Sequence, residues 1–293
     1  MGDDVKVIEL ADGRDIAYGE TGEPDGIPIV MIHGIPGGTR FPGFDPDAVA
    51  AAGARVFTPA RPGFAASTRQ PGRTLLDYGR DIGEFADQLG LDRFAIVGVS
   101  AGGPSTMATG SVLGDRLGCV GVACAIGPVF DNPQFDPLLS DELQFALPLA
   151  RADRDAVLPL IRDLMAPLCT AAADAEAYFD GPYIDGVPEV DKAGYLGVRD
   201  AFVQCIRDTY GNGPDPLVDE INATFGPWEF DLATITAPVR GWHGDADPGP
   251  SDPMQHAVSQ VPDGRFTIYP GEGHVMSPSH HPDWLATLTA WAR

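Results

Sequence analysis

The chain has 293 residues and a formal net charge of −23 at pH 7, and its length suits one large domain or a core with a smaller insert. A protein this acidic repels nucleic acid and anionic membrane surfaces, so we expect neither as a partner. The four cysteines include no Cys-x-x-Cys pair, which argues against a zinc knuckle or a dense disulfide framework. We therefore expect a reducing compartment, no metal and no cofactor.

The N-terminus gives no sign of a targeting segment. Residues 1–4 include two aspartates and are not followed by the apolar core of a secretory signal. No apolar run approaches the roughly 20 residues that cross a bilayer. We expect a cytoplasmic protein whose oligomeric state the sequence leaves open, a homodimer included.

The first 127 residues alternate between predicted strands and helices. An Asp-Gly turn at 12–13 between two β-prone segments predicts an antiparallel hairpin. A continuous apolar run at 28–33 suits a strand covered on both faces, and Thr74 opens a segment of helical apolar spacing that ends at Gly90. Strands and helices joined by short connections favour a parallel sheet, so we predict an α/β fold. The predicted strands are 5–10, 15–19, 28–33, 55–59, 94–99 and 117–126, and the predicted helices are 74–90 and one from residue 104 onward.

The segment 128–230 interrupts this pattern, because its periodicity is helical throughout. It holds 19 Asp and Glu against 6 Lys and Arg. The simpler interpretation of this charge is a set of solvated helix faces, and the alternative is an acidic lid over a functional site. We predict a core formed by 1–127 and 231–293, with 128–230 inserted as a helical cap. Predicted cap helices are 141–150, 155–168 and 198–209; the core then resumes with strands 238–243 and 265–269 and helices 253–261 and 282–291.

The motif Gly-x-Ser-x-Gly around Ser100 lies between a predicted strand and a predicted helix. In that setting the serine occupies a sharp, strained turn, and Gly98 and Gly102 leave room around it. The N–H groups that open the following helix point at any anion formed there. With 36 glycines in the chain the motif alone is weak, so the flanking strand and helix carry the prediction that Ser100 is a nucleophile.

A serine hydroxyl needs a base to act as a nucleophile at neutral pH, and the base needs an acid to orient it. Of the six histidines, only His274 lies in a glycine-flanked loop just past the final predicted strand. Asp247 follows the preceding strand and would lie at the same edge of the sheet, so it is the predicted acid. Two other aspartates stay open. Asp245, two residues before Asp247, is interpreted instead as a brace for the turn, and Asp131, which follows an earlier strand, is a second possible position for the acid.

Five motifs in this order resemble those of the α/β-hydrolase superfamily with a helical cap. They are HGIPGG at 33–38, RPGF at 61–64, GVSAGG at 98–103, GDAD at 244–247 and GH at 273–274. The resemblance covers nearly the whole chain outside the cap. It implies an α/β-hydrolase fold, with a mostly parallel, twisted sheet, flanking helices and an inserted cap.

The resemblance also implies roles for single residues. Ser100 would attack an acyl carbonyl, His274 would take its proton and later deliver it to the leaving group, and Asp247 would hold the imidazolium. The N–H groups of Ala101 and Ile35 match the two oxyanion donors of the superfamily. Four further residues match positions that shape the site without reacting: His33, Gly34, Gly98 and Gly102.

Several relatives are distinguished by their own patterns. Haloalkane dehalogenases and epoxide hydrolases of this fold use Asp where this chain has Ser100, and cofactorless haloperoxidases lack a large cap, which argues against both. Proline iminopeptidases are closer and use cap carboxylates to hold a free amino terminus. They carry HGGPG, however, where this chain has Ile35 in place of the second glycine.

These observations favour a metal-free serine hydrolase that cleaves a small or medium carboxylic ester through an acyl-enzyme, with a small-molecule substrate as its partner. The same residues serve peptidases and hydrolases of carbon–carbon bonds, so an iminopeptidase-like activity and C–C bond hydrolysis stay open. An alternative of another class is a non-hydrolytic ligand-binding protein or a biosynthetic cyclase on the same fold.

Overall fold

The structure, a computed structural model, describes residues 5–292. The acidic N-terminal residues 1–4 that argued against a secretory signal lie outside the described residues. The architecture is an eight-stranded sheet of order β1-β2-β4-β3-β5-β6-β7-β8 in which β1 and β2 are antiparallel to their neighbours and all other pairs are parallel. The strands are β1 Lys6–Glu9, β2 Asp15–Gly22, β3 Ile27–Ile32, β4 Ala54–Pro59, β5 Phe94–Val99, β6 Leu117–Ala123, β7 Val239–Gly244 and β8 Gly264–Tyr269.

Helices cover both faces of this sheet. Tyr78 and Phe85 pack on one face beside Met254, whereas Val49 and Trp284 pack on the other. The central strands are therefore buried on both sides, which is why their sequences are continuously apolar. This arrangement confirms the predicted α/β class and the mostly parallel sheet. The core helices are α1 Pro46–Ala51, α2 Leu75–Gln88, α3 Gly102–Leu113, α11 Asp252–Ser259 and α12 His281–Thr289.

Most element boundaries in the core differ from the sequence-based prediction by one to three residues. Helix α3 begins at Gly102 rather than at Pro104, because the chain turns within two residues after β5. Strand β6 ends at Ala123 rather than at 126, since Cys124 has a φ of 44° and leaves the extended conformation. Helix α1 was not predicted, and it is only six residues long. The predicted N-cap of α2 is confirmed, because Thr74 accepts from the N–H of Asp77 and completes a capping box.

Between β6 and β7 the regular elements of the described chain are helical, and we call residues 128–230 the cap. The cap packs on a core loop, since Phe64 shares a buried apolar cluster with Phe179, Phe202 and Leu217. Four α-helices of the cap were missed by periodicity, two of them because they are shorter than two turns. The cap helices are α4 Asp141–Ala152, α5 Arg154–Ala171, α6 Ala175–Tyr178, α7 Ile184–Gly186, α8 Glu189–Gly197, α9 Arg199–Tyr210 and α10 Pro214–Thr224.

Among the helices in residues 5–292, no single one is both long and apolar enough to cross a bilayer. The pair formed by Arg154–Ala171 and Ala175–Gly186 meets the length and composition criteria together, but it is bent by 108°.

Candidate active site

Ser100 occupies the turn between β5 and α3 in a strained backbone conformation. Its φ is 55°, a region that a residue with a side chain rarely adopts. Three backbone hydrogen bonds hold this turn: the N–H of Ser100 donates to the carbonyl of Ala123 at 3.0 Å, and its carbonyl accepts from Gly103 and Ile126, each at 3.1 Å. The surrounding structure thus fixes a conformation that places the side chain at the carboxyl edge of the sheet.

The two glycines of the motif are required by close packing. A Cβ on Gly98 would lie 2.2 Å from Oγ1 of Thr106, and one on Gly102 would lie 2.3 Å from the carbonyl oxygen of Ile32. Gly34 faces Ser100, since a Cβ at position 34 would lie 3.1 Å from Cβ of Ser100. Larger residues at these positions would move α3 or the loop after β3 away from Ser100.

His274 and Asp247 form a hydrogen-bonded pair at the same edge. Nδ1 of His274 lies 2.7 Å from Oδ2 of Asp247, whose side chain is 1% exposed. The other carboxylate oxygen accepts from the N–H of Gly249 at 2.8 Å. Because a carboxylate can only accept, Nδ1 carries the proton and Nε2 of a neutral His274 is left as the basic nitrogen.

The two alternative acids lie elsewhere. Asp245 is exposed and accepts from the N–H of Gly271 at 2.6 Å, so it braces the turn. Asp131 is exposed at the start of the cap, where its charge acts on Arg151. Of the three candidate acids, the geometry brings Asp247 to the imidazole.

The charges of this pair stabilise each other. Burial lowers the pKa of His274, but its hydrogen bond to Asp247 and the charges of Asp247 and Asp191 outweigh burial, and the net result is a pKa above the ordinary value. Burial raises the pKa of Asp247, but the hydrogen bond and charge of His274 bring it below the ordinary value. Asp247 therefore stays ionised over the whole range in which His274 titrates.

His33 is fully buried and has a structural position. Its Nδ1 lies 2.8 Å from the carbonyl oxygen of Gly34, and its Nε2 accepts from the N–H of Arg61 at 3.1 Å. Burial and the charge of Arg61 lower the pKa of His33 to about 3, so the ring is neutral. Arg61 donates to the same Gly34 carbonyl at 2.8 Å, and together the two side chains fix the peptide unit that carries the N–H of Ile35.

The two residues expected to supply oxyanion-binding N–H groups lie in the loop after β3 and directly after Ser100. Ile35 lines the same cavity as Ser100, and Ala101 is the N-cap of α3. Within residues 5–292, neither N–H donates to a protein acceptor. Arg61 also donates to the Ala101 carbonyl at 3.0 Å, so one guanidinium contacts both loops that carry these groups.

Two buried cap carboxylates were not singled out from the sequence. Asp191 of α8 is 1% exposed and accepts from the N–H groups of His274 and Val275. Glu220 of α10 is fully buried and forms ion pairs with Arg61 and Arg73. Both lie in an acidic segment of 19 carboxylates, and nothing in their spacing distinguishes them from the exposed ones.

Ser100 opens into a large, mainly apolar cavity of about 1010 Å³. It extends from Ser100 at the end of β5 past Met31 of β3 and Val56 of β4 to Thr21 of β2, a span of three strand spacings or about 14 Å. His274 lines it as well. The cap closes one side with residues 190 and 193–202, including the exposed Asp200.

One group of side chains has the donor types of a metal site. Ligand atoms of Cys124, His243 and Asp247 lie within 4.8 Å of one another. Burial and the charge of Asp247 hold the pKa of the Cys124 thiol well above its ordinary value, which disfavours the thiolate that binds metals. Both oxygens of Asp247 are also engaged, by His274 and Gly249. Cys124 and His243 therefore pack around the His274–Asp247 pair rather than forming a metal site with it.

Most of the chain matches one protein family. A family model described as the alpha/beta hydrolase family matches residues 29–288. The chain belongs to the alpha/beta hydrolase family. Among curated proteins, this hydrolase is 26% identical over 141 residues to the uncharacterized hydrolase YcgS of Bacillus subtilis (strain 168). The match covers 48% of each protein, so the chain spans about half the length of the curated relative it matches.

Solved structures agree on the fold of this hydrolase. A bromoperoxidase from Bacillus anthracis has a TM-score of 0.71 at 22% identity and 99% coverage of both chains. A thermophilic esterase from Thermogutta terrifontis has a TM-score of 0.64 at 19% identity, covering 99% of this chain and 98% of the other. An enol-lactonase from Burkholderia xenovorans LB400 has a TM-score of 0.63 at 15% identity, covering 98% of this chain and 99% of the other.

The likeness to the bromoperoxidase extends over the cap. The cap was expected to separate this chain from cofactorless haloperoxidases. The structure of the bromoperoxidase, however, covers 99% of the chain, cap included. The presence of the cap therefore does not distinguish the two.

Proposed function

We propose that the protein is a serine hydrolase that cleaves a small or medium carboxylic ester through an acyl-enzyme. The observation that carries this proposal is the pair of His274 and Asp247, 2.7 Å apart, on the cavity into which the strained Ser100 opens. Membership of the alpha/beta hydrolase family supports the same class of chemistry.

The proposed mechanism assigns a step to each of these groups. Nε2 of His274 takes the proton from Ser100 as its oxygen attacks the ester carbonyl, and the imidazolium is stabilised by Asp247. The N–H groups of Ile35 and Ala101 stabilise the oxyanion, and loss of one such donor typically costs about 2.7–4 kcal/mol of transition-state stabilisation. His274 then protonates the leaving alcohol. Water attacks the acyl-enzyme in the second half of the cycle, with His274 again as the base.

The cavity supports an ester with an apolar acyl or alcohol part. Most of its lining residues are apolar, so a hydrocarbon group gains free energy by entering it. Two of the similar structures are described as an esterase and an enol-lactonase, and these descriptions agree with the proposal without specifying a substrate.

A second candidate is an iminopeptidase-like aminopeptidase. The observation that favours it is Asp200, an exposed cap carboxylate that lines the cavity and would attract a free amino group. Its neighbour Arg199 partly neutralises it, with a guanidinium nitrogen 3.2 Å from the carboxylate. This contact makes the ester hydrolase the preferred assignment.

Steady-state rates on p-nitrophenyl butyrate and proline p-nitroanilide test the proposal. We expect the wild type to hydrolyse the ester, Ser100→Ala to lose nearly all of this activity while remaining folded, and Ser111→Ala, on the helix α3 that follows Ser100, to keep it. A Ser100→Ala variant with the wild-type rate would refute the acyl-enzyme mechanism. Hydrolysis of the anilide alone would favour the aminopeptidase, and no turnover of either substrate would favour a non-hydrolytic role.

A further inference from the structure

A carboxylate of the cap contacts the main chain of the loop that carries His274. Oδ2 of Asp191 accepts from the N–H of His274 at 3.1 Å, and Oδ1 accepts from the N–H of Val275 at 2.8 Å. Asp191 is 1% exposed, although it lies in the acidic cap, which holds 19 Asp and Glu. A buried carboxylate with both oxygens engaged by consecutive N–H groups is a specific contact, since burial without such partners is costly.

The shapes of α8 and of this loop are matched at the contact. A Cβ on Gly273 would lie 2.3 Å from Oδ1 of Asp191, so only glycine at 273 permits the carboxylate to approach. On the same face of α8, a Cβ on Gly194 would lie 2.6 Å from Cγ1 of Val275. The helix therefore contacts the loop at two positions one turn apart, and both depend on a glycine.

Asp191 also adds a second negative charge near the imidazole. The charged and titratable groups around His274 are Asp247 from the loop after β7, Asp191 and Tyr195 from α8, Cys124 after β6, and His243 and Glu272. Glu272 is engaged by the Ser277 N–H and by His280, and burial raises the pKa of both the Cys124 thiol and the Tyr195 hydroxyl, so both stay neutral. The charges of Asp247 and Asp191 raise the pKa of His274.

We propose that Asp191 is a positioning residue for the catalytic base: it fixes the main chain of His274 from the cap and stabilises the imidazolium that forms when Ser100 is deprotonated. This inference rests on the proposed function, because it assigns His274 the role of base. It makes the cap a part of the reacting centre rather than a cover over it. Loosening α8 would thus lower the basicity of His274 as well as alter access to the cavity.

The substitution Asp191→Asn separates charge from shape. Asparagine has nearly the same volume, but only its carbonyl oxygen accepts, so its amide group would place a donor against one of the two N–H donors. With the negative charge removed, the pKa of His274 falls. The acid limb of kcat/KM then moves to lower pH by about half a pH unit or more, and the plateau falls at least several-fold.

The test is the pH profile of kcat/KM on p-nitrophenyl butyrate for the wild type, Asp191→Asn and Asp163→Asn. Asp163 is exposed on α5 and provides the same change of charge within the cap, so its profile should match the wild type. If the acid limb of kcat/KM in Asp191→Asn has the same midpoint as in the wild type, the proposal is overturned even if the plateau has fallen. A merely structural loss lowers the rate without moving this midpoint.

Amide hydrogen exchange of the wild type keeps the proposal testable if the variant fails to fold. The amides of His274 and Val275 should exchange more slowly than an exposed loop, because both donate to a buried carboxylate. If these two amides exchange as fast as those of an exposed loop, the contact with Asp191 is absent and the proposal is overturned. Failure of the proposed function has a different result: Ser100→Ala would keep the ester rate, whatever the profile of Asp191→Asn.

Discussion

The conformation of Ser100 links sequence and chemistry at the scale of one residue. Its φ of 55° is unfavourable, and the cost is met by the backbone bonds to β6 and α3 and by the close approach that Gly98 and Gly102 permit. The sequence indicated this turn because an apolar strand ends and a helix begins within a few residues, so the serine between them must turn sharply, and Gly98 and Gly102 leave room around it. It also pointed to His274 and Asp247, which each follow a strand. It gave no sign of Asp191, because a cap carboxylate becomes buried only through the tertiary fold.

The titration of His274 gives a prediction at this scale. Its pKa in the folded protein is raised by Asp247 and Asp191, so kcat/KM should fall on the acid side with a midpoint above the ordinary histidine value of about 6.5. The direction follows because only the neutral imidazole accepts the proton from Ser100. The pH dependence of kcat/KM on an uncharged ester measures this midpoint. A rate that stays constant down to pH 5 would contradict the assignment of His274 as the base.

At the scale of elements, the strands and helices with a regular apolar pattern were predicted from the sequence, and the irregular segments were not. The boundaries of β5 were predicted without error, and α2 was predicted with its N-cap, because both have clear apolar patterns and end signals. Five helices were not predicted: the short α1 and the cap helices α6, α7, α8 and α10. Proline and glycine interrupt that part of the cap, and packing against the core stabilises what intrinsic propensity does not.

The position of α1 gives a prediction about substrate length. Val49 of α1 is 1% exposed and lines the cavity with Met31 and Val56, beyond the strand that carries Ser100. We expect Val49→Phe to fill this end, so that kcat/KM for p-nitrophenyl octanoate falls at least tenfold relative to acetate. The rates on esters of increasing chain length measure this selectivity.

A matched control for this substitution is Val190→Phe. Val190 lines the same cavity but is 45% exposed on the cap, so the ratio of octanoate to acetate should stay near that of the wild type. An unchanged ratio in Val49→Phe, with cooperative unfolding retained, would show that the substrate does not occupy this end of the cavity.

Across the whole molecule, cap and core are joined by buried charges. Glu220 of α10 is fully buried between Arg61, which contacts the carbonyls of Gly34 and Ala101, and Arg73 near the start of α2. Burial raises the pKa of Glu220, but the two arginines lower it below its ordinary value, so the carboxylate is ionised at neutral pH. Because these partners are about 150 residues apart in the chain, their pairing could not be predicted from local patterns.

This arrangement predicts a large effect on stability from Glu220→Gln. The substitution keeps the shape but leaves two buried guanidinium groups without a counter-charge, so the free energy of unfolding should fall by about 3–5 kcal/mol. Chemical denaturation at neutral pH measures it. Glu229→Gln, at an exposed position of the cap, should change the free energy by less than about 0.5 kcal/mol. Equal effects of the two substitutions would refute the structural role of Glu220.

Covalent labelling with a fluorophosphonate, followed by peptide mapping, tests the central claim most directly. Such a probe reacts with a serine only when a base and an oxyanion site activate it. We predict one adduct per chain, located on Ser100, and its loss in His274→Ala. A folded protein that forms no adduct, or that carries it on another serine, would contradict the assignment of Ser100 as the nucleophile.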